Sequence, residues 1–464
     1  MIDSLTDTAL GELRFRLAGG LYEAGDPEYD DACTLFNAMI EKRPLLVARC
    51  SAPDDVVAAL AFARDHDLDV AVRGGGHSVT GLSLVDDGLV LDVRGMDDVD
   101  VDPARRVARV GGGATWGAVD RATQQHGLAT TGGRVSSTGV AGLTLGGGSG
   151  WLERMHGLAC DNLLAAELVT ADGRLVRASE TENRELLWAL RGGGGNFGVV
   201  TALELRLHPV GPEVYGGLLM YPAARGPELL RRWRDVMRDA PEELSLAFAY
   251  ITAPADDPDV PAHLRGKLAA VVAGMHAGPI ADGERALRPI RELGPADLDA
   301  FGPVTYAELQ CSLDDPPGYR NYWTAEQLPD LPDEVVELMH ARALEMPGSA
   351  PQIFCVAWGG AVARHDRGPL AGRDARFVVH PLMLWDDPAD DADVIAWGRS
   401  FRAALAAHTT GVAYLNFTGD EGAERVRAQY RPGAYERLAR IKAEWDPDNV
   451  FRAVGSVAPR MSVN

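Results

Sequence analysis

Arg73-Gly74-Gly75-Gly76-His77-Ser78 decides how this chain of 464 residues is read. Three successive glycines free their backbone N–H groups to wrap an anion. Without a Cβ they reach unusual φ/ψ values and let a ligand approach the main chain closely. His77 adds a nucleophilic ring nitrogen at the same spot. The pairing points to a phosphate-bearing ligand that backbone donors hold and a covalent bond tethers.

Upstream of this stretch, Leu45–Arg49 reads as a strand, Pro53–Arg64 as a helix and Val70–Val72 as a second buried strand. Downstream, Leu89–Val93 and Val107–Val110 read as strands. Thr115–His126 reads as a helix with Asp120, Arg121 and Gln124 on its wet face. Residues Gly132–Gly150 are rich in glycine and free of acids, yet they keep Val135, Val140, Leu143 and Leu145. With structured sequence on both sides, they read as an ordered loop lying along a ligand rather than a linker. Glu167–Thr170, the Ala171-Asp172-Gly173 turn, a helix at Glu185–Leu190 and a strand at Val199–Leu207 follow, and Pro209–Pro212 marks a boundary. Residues 213–408 place helices at Glu228–Asp239, Asp333–Leu344 and Asp393–His408 among strands, the pattern of a second, α+β domain.

Composition narrows the class. Hydrophobic residues are 46% of the chain and charged ones 24%, a globular and soluble balance, and the length calls for two domains. Sixty-seven acids against 45 bases leave a net charge of −22, which argues against nucleic acid as a partner. No apolar run approaches the ~20 residues of a membrane span. Met1–Arg16 lacks the basic-then-apolar order of a signal peptide, so the expected location is cytoplasmic. Cys33, Cys50, Cys160, Cys311 and Cys355 form no CxxC pair and read as reduced thiols, with no metal site. Oligomeric state is not specified by any of these features.

Two nucleotide-binding classes are disfavoured by spacing. No lysine follows a glycine cluster, as a Walker loop requires. Arg73–Gly81 lacks the G-x-G-x-x-G spacing of a dinucleotide fold and opens no helix. Arg191–Gly198 meets that spacing only through its run of glycines.

The motifs taken in order are more specific than any one alone. After Arg73–His77 come Gly111-Gly112-Gly113-Ala114-Thr115-Trp116, Leu145-Gly146-Gly147-Gly148-Ser149-Gly150-Trp151 and His156-Gly157-Leu158-Ala159-Cys160-Asp161-Asn162. Arg191–Gly198, Tyr414-Leu415-Asn416-Phe417 and Trp445-Asp446-Pro447-Asp448-Asn449-Val450-Phe451 complete the set. This set resembles the berberine-bridge-enzyme-like flavoproteins of the vanillyl-alcohol-oxidase superfamily, near the 6-hydroxynicotine oxidases. The resemblance covers residues 40–210 strongly and 300–464 well; residues 213–300 match only in general character.

The resemblance implies an α+β, two-domain PCMH-type FAD-binding fold with an antiparallel-sheet substrate domain covered by helices. Residues 1–212 and 410–464 would bind FAD, and 213–409 would bind substrate. Gly74, Gly75 and Gly76 would hold the pyrophosphate, and a ring nitrogen of His77 would bond the flavin 8α-methyl carbon. The implied cofactor site also takes in Arg73, Ser78, Gly133, Ser137, Thr138, Gly139, Gly142, Gly147, Gly148, Asn162, Gly198, Val200 and Asn416. Many relatives add a cysteine bond to flavin C6, but Val135 stands where that cysteine would be. Cys160 falls where relatives carry alanine or serine and reads as a small buried residue near the cofactor, so a single covalent link is expected.

Flavin chemistry needs a substrate C–H facing N5 and a group that takes a proton as hydride leaves. In Ala413–Phe417 a strand would put Tyr414 and Asn416 on one face, which the resemblance places beside the isoalloxazine. Tyr306–Leu313 reads as another strand, with Tyr306, Glu308, Gln310 and Ser312 on its polar face. Glu308 is either this chain's base or substrate anchor, or a solvated edge position. Asn321-Tyr322-Trp323 and Trp385 are aromatic candidates for the pocket roof or for core packing, and the side on which His380 lies is left open. The expected reaction is two-electron oxidation of a small alcohol, amine or phenol with O2 as acceptor, which Val140, a modest aliphatic near the flavin, favours over a dehydrogenase. Oxidative cyclisation of a natural product, or a redox-quiet flavoprotein that sequesters a small molecule, are the alternatives.

Overall fold

The computed structural model describes residues 6–314, 318–452 and 457–459; the first five residues of the segment read for a leader lie outside them. Apolar β-branched runs form the first sheet. Leu46–Arg49 and Val70–Arg73 flank Leu89–Asp92 in parallel, and Leu21–Tyr22 adds an antiparallel edge. The Pro53–Asp65 helix connects the two flanking strands. Pro53 opens it, where the missing N–H costs no bond, and Asp54 and Asp55 lie in its first turn. Val70–Arg73 therefore releases the chain into Gly74 at the carboxyl end of a parallel strand, where sheets of this kind place ligands.

A second, antiparallel sheet follows in the order Val99–Asp102, Val107–Gly111, Val199–Arg206, Leu163–Val169, Leu175–Ser179. The third and largest sheet has nine strands among the described residues and is antiparallel throughout. Its central strands are Glu213–Pro222, Leu268–His276, Leu244–Thr252, Gln352–Ala357 and Phe377–Trp385. One face carries Phe248, Tyr250, Val272, Ile353, Cys355 and Val379, which pack beneath Leu229, Leu230, Trp233, Leu287, Val335, Met339 and Phe401 of the covering helices. Period-two alternation then sends the remaining side chains to the opposite face.

The C-terminal Ala434–Trp445 helix is tied to the glycine segment at 192–198. Buried Lys442 donates to the carbonyls of Asn196 (2.8 Å) and Phe451 (2.9 Å) and pairs with Asp446 at 2.5 Å. In turn, Asp446 accepts the N–H groups of Val450 and Phe451.

Three local expectations are corrected. Tyr306–Gln310 is a helix, not a strand. Thr305 accepts the Glu308 N–H, and the Glu308 carboxylate reaches back to Thr305, a capping box that outweighs the alternating pattern. Tyr414 to Phe417 is likewise no strand, since Leu415–Phe417 forms a 3₁₀ turn. Finally, Asp120 does not face water. It is 3% exposed, and its carboxylate accepts from Gln310 Nε2, whose amide also donates to the Gly133 carbonyl. Burial raises Asp120 to about 7.

Candidate functional site

Between the first two sheets and the open face of the third lies a cavity of about 820 Å³. At one end the Gly74–Ser78 loop meets Gly133, Thr138, Gly139 and Gly142; at the other stands the sheet wall. The glycine loops touch backbone to backbone, because a Cβ on Gly75 would stand 2.2 Å from Gly139 N and 2.7 Å from its Cα. Gly76 turns the chain at φ +73°, the left-handed region. Among the described residues the N–H groups of Gly75, Gly76, His77 and Ser78 meet no acceptor. Such a run of unpaired donors makes an anion nest. Where Gly142 and Gly195 line the cavity, a Cβ would find nothing within 4 Å, so both leave space for a ligand. A flavin dinucleotide fits this donor set and this cradle.

Arg73 serves the nest from behind. Its guanidinium, 5% exposed, donates to the carbonyls of Asp31 and Thr34, both at 2.8 Å, and does not line the cavity. Burial lowers its pKa to about 10, which leaves it charged at neutral pH behind Gly76.

The His77 ring is fixed on several sides. Its Nε2 lies 3.0 Å from Ser137 Oγ and its Nδ1 3.4 Å from Thr138 Oγ1, while Phe36 stacks on the ring at 4.5 Å. Burial drives its pKa down to about 4 against the opposing pull of the Asp314 carboxylate. The ring is therefore neutral at physiological pH, as a nucleophilic nitrogen must be. Asp314 is itself engaged, accepting from Ser136 N (2.6 Å) and Oγ (2.5 Å).

Cross-strand registers define the far wall. Val271, Ala249, Phe354 and His380 stand abreast on four strands, and Ala273, Ala247, Val356 and Val378 form the row beside them. His380, 6% exposed, stacks on Phe417 at 4.4 Å and meets Trp323 edge-on at 5.4 Å. Its Nε2 has no partner among the described residues. Burial, with Arg134 adding to it, lowers its pKa to about 3.

Of the residues expected at the cofactor, Gly74, Gly75, Gly76, His77, Ser78, Gly133, Thr138, Gly139, Gly142, Gly198, Val200 and Asn416 line this one cavity. Ser137 sits behind them on the His77 ring. Asn416 donates to the Leu143 carbonyl at 2.9 Å and lies against Gly146. The others do not reach the cavity. Tyr414 points away from it: its hydroxyl accepts the Gly148 N–H at 2.7 Å, and its ring presses on Gly147, so all three belong to the supporting layer. Asn162 donates to the carbonyls of His156 and Leu158, and Cys160 is fully buried beside Arg373 and Asp161, its thiol pushed up to about 12.

The two catalytic candidates from the region of the nine-stranded sheet are corrected as well. Glu308 is exposed and spent on its helix cap, which holds its carboxyl below the usual range. Tyr322 faces the opposite side of its strand from Trp323 and packs with Met383, Trp385 and Val394. Trp385 bonds Asp391 there and roofs nothing. Sequence reasoning missed Phe36, Phe354 and Asp314, and it left His380 unplaced. Alternation in Phe377–Trp385 was the available signal, since it puts His380, Leu382 and Leu384 on one face.

Comparison with known proteins agrees with this geometry. Residues 44–179 match the "FAD binding domain" family and residues 413–458 the "Berberine and berberine like" family. The chain is 30% identical over 460 residues to (R)-6-hydroxynicotine oxidase of Paenarthrobacter nicotinovorans, covering 96% of this chain and 98% of the relative. The crystal structure of 6-hydroxy-D-nicotine oxidase from Arthrobacter nicotinovorans superposes with a TM-score of 0.86 at 28% identity, over 96% and 98% of the two chains. Berberine bridge enzyme in complex with (S)-reticuline shares the fold, with a TM-score of 0.87 at 20% identity over 98% and 99%. No helix among the described residues is long and apolar enough to cross a membrane. End-to-end likeness to an oxidase, together with a cavity shaped for a dinucleotide, places the chain in the berberine-bridge-enzyme-like family of FAD-linked oxidoreductases.

Proposed function

We propose that this protein is an oxidase that carries FAD on a ring nitrogen of His77 and oxidises a small alcohol, amine or phenol with O2 as electron acceptor. The observation that carries the reading is the meeting, in one cavity, of an anion nest, a neutral histidine and an apolar sheet wall. When bound, the flavin supplies a hydride acceptor and passes two electrons to O2.

The chain's own residues supply binding, orientation and proton transfer. Gly75 to Ser78 offer their N–H groups to the diphosphate, with the Arg73 charge behind them. Phe36, Ser137 and Thr138 hold the His77 ring for its single bond to the 8α-carbon. Asn416, braced on Leu143, lines the middle of the cavity, and Tyr414 holds Gly148 in place beneath it. His380 stands on the wall of the cavity, where it can take the proton from the substrate O–H or N–H. Phe354, Phe417 and Trp323 enclose that point and keep water out.

The test is an anaerobic titration. Substrate should bleach the bound flavin, and admitting air should restore its colour with one hydrogen peroxide formed per substrate oxidised. A flavin that is bleached by substrate but stays reduced under air would make the protein a dehydrogenase and refute the oxidase reading.

A further inference from the structure

We propose that Asp120 and Gln310 are a positioning pair for the cofactor: Gln310 holds the Gly133 carbonyl only while Asp120 is an anion, so one buried proton sets the loop beside the flavin. This rests on the FAD site proposed above and goes beyond it.

Two distant segments meet at this pair. The Tyr306–Gln310 helix follows the strand Gly302–Thr305, which joins the nine-stranded sheet by pairing with Glu213 to Gly216. From there Gln310, 1% exposed, reaches the helix Trp116–Gln124 and the start of the glycine-rich loop. Its Nε2 donates one hydrogen to Asp120 Oδ2 at 3.1 Å and the other to the Gly133 carbonyl at 3.2 Å. One turn before Asp120, the buried Trp116 ring presses on the same loop. A Cβ on Gly132 would stand 2.4 Å from that ring, and one on Gly133 3.5 Å. Gly133 lines the cavity, and Ser137 and Thr138, which hold the His77 ring, follow it in the chain.

The pair has two arrangements. As an anion, Asp120 accepts from Nε2 and leaves that nitrogen's second hydrogen for Gly133. A proton on Asp120 adds an O–H that needs an acceptor, and Nε2 is a donor only. Meeting it turns the Gln310 amide over to present Oε1, which is buried without a partner among the described residues. That turn takes Nε2 off the Gly133 carbonyl.

Burial brings this proton into the neutral range. It raises the Asp120 carboxyl to about 7, against the Gln310 hydrogen bond and Arg121, which both lower it. Arg121 is exposed on the same helix. The facing helix adds Tyr306, which burial keeps neutral and whose hydroxyl is also unpartnered among the described residues. The loop adds Arg134, which is paired with Glu153. Val99–Asp102 and Leu128–Ala129 also pack on this helix and contribute no charge that moves Asp120.

Two readouts on the full chain test the proposal, titrated from about pH 5.5 to about pH 8.5. Trp116 emission, taken as the difference from Trp116→Phe, reports Asp120 whether or not flavin is bound. The visible absorption of bound flavin reports the loop. Both should follow one proton with a midpoint at about 7. Asp120→Asn keeps an acceptor for Nε2 on a neutral side chain and should remove both steps. Gln310→Met removes the hydrogen bond that favours the anion, so the Trp116 step should move up by about one pH unit while the flavin step disappears. A flavin step that persists in either variant, or a flat flavin spectrum in wild-type protein whose Trp116 titrates, would overturn the coupling. Absence of the Trp116 step would overturn the titration of Asp120. Protein that takes up no flavin, even when incubated with FAD, would sink the FAD reading instead, and the Trp116 step would still decide whether Asp120 gains its proton near neutrality.

Discussion

Gly75 and Gly142 both face the cavity, yet a methyl group added to each should do opposite things. At Gly75 the new Cβ would stand 2.2 Å from Gly139 N and 3.2 Å from the Ser137 carbonyl oxygen. Both neighbours are backbone, so an ordinary contact of 3.4 Å demands that one loop retreat by about 1.2 Å, the difference between the two distances. Overpacking of this kind costs about 1–3 kcal/mol of stability. The retreat also carries Ser137 and Thr138 away from the His77 ring they hold. A misplacement of about 1 Å at a reacting group costs about 10²-fold in rate. Gly75→Ala should therefore lower the melting temperature and slow flavin attachment by about 100-fold. At Gly142 nothing lies within 4 Å, so Gly142→Ala should melt with the wild type while its methyl group takes up flavin space and weakens FAD binding. The assay is reconstitution of apoprotein with FAD, followed by flavin fluorescence in acid-precipitated protein, alongside thermal melts. Wild-type attachment in Gly75→Ala would refute the steric argument. Undiminished FAD affinity in a well-folded Gly142→Ala would show that the cradle is not where flavin lies.

Other expectations follow from single side chains. His380→Ala should keep its flavin and lower kcat by about 10²–10⁴-fold, the usual contribution of a positioned base, as read by stopped-flow reduction; an unchanged reduction rate would remove His380 from the mechanism. Lys442→Met leaves the Asp446 carboxylate buried without its partner and two carbonyls without a donor, which should cost about 3–5 kcal/mol in a denaturant titration. The buried histidines set a pH dependence: His156 is lowered to about 4, and His208 and His380 to about 3, each chiefly by burial. Their folded values are depressed, so the unfolded chain binds more protons below its ordinary value of about 6.5. Stability should be full above that pH and fall as pH drops toward 3, by up to about 1.4 kcal/mol per pH unit for each histidine. Melting temperatures flat between pH 7 and pH 4 would contradict the burial assigned to these rings.

The cofactor end of the cavity was largely legible in the sequence, because its chemistry is written locally. Consecutive glycines create unpaired backbone donors whatever surrounds them, and His77 follows them directly. The substrate end was much less legible, because it is made by register across strands far apart in sequence. Phe354 meets His380 only when Gln352–Ala357 pairs with Phe377–Trp385, and a one-residue slip would turn both away. Glu308 shows a readable signal overruled by a weaker one: Thr305 and Glu308 spell a capping box, but the alternation after Tyr306 mimics a strand. Tyr414 and Asn416 diverge because a 3₁₀ turn replaces the strand that two-residue spacing suggested. Asp120 looked solvated because its partner, Gln310, lies 190 residues away.

The proposed covalent flavin depends most directly on the bond at His77. Purified protein, precipitated in acid, washed and digested, should yield a single flavin-bearing peptide containing His77, and His77→Ala should release all of its flavin into the wash. Flavin retained in the His77→Ala pellet, or found on a peptide containing Cys160, would contradict the tether at its named atom.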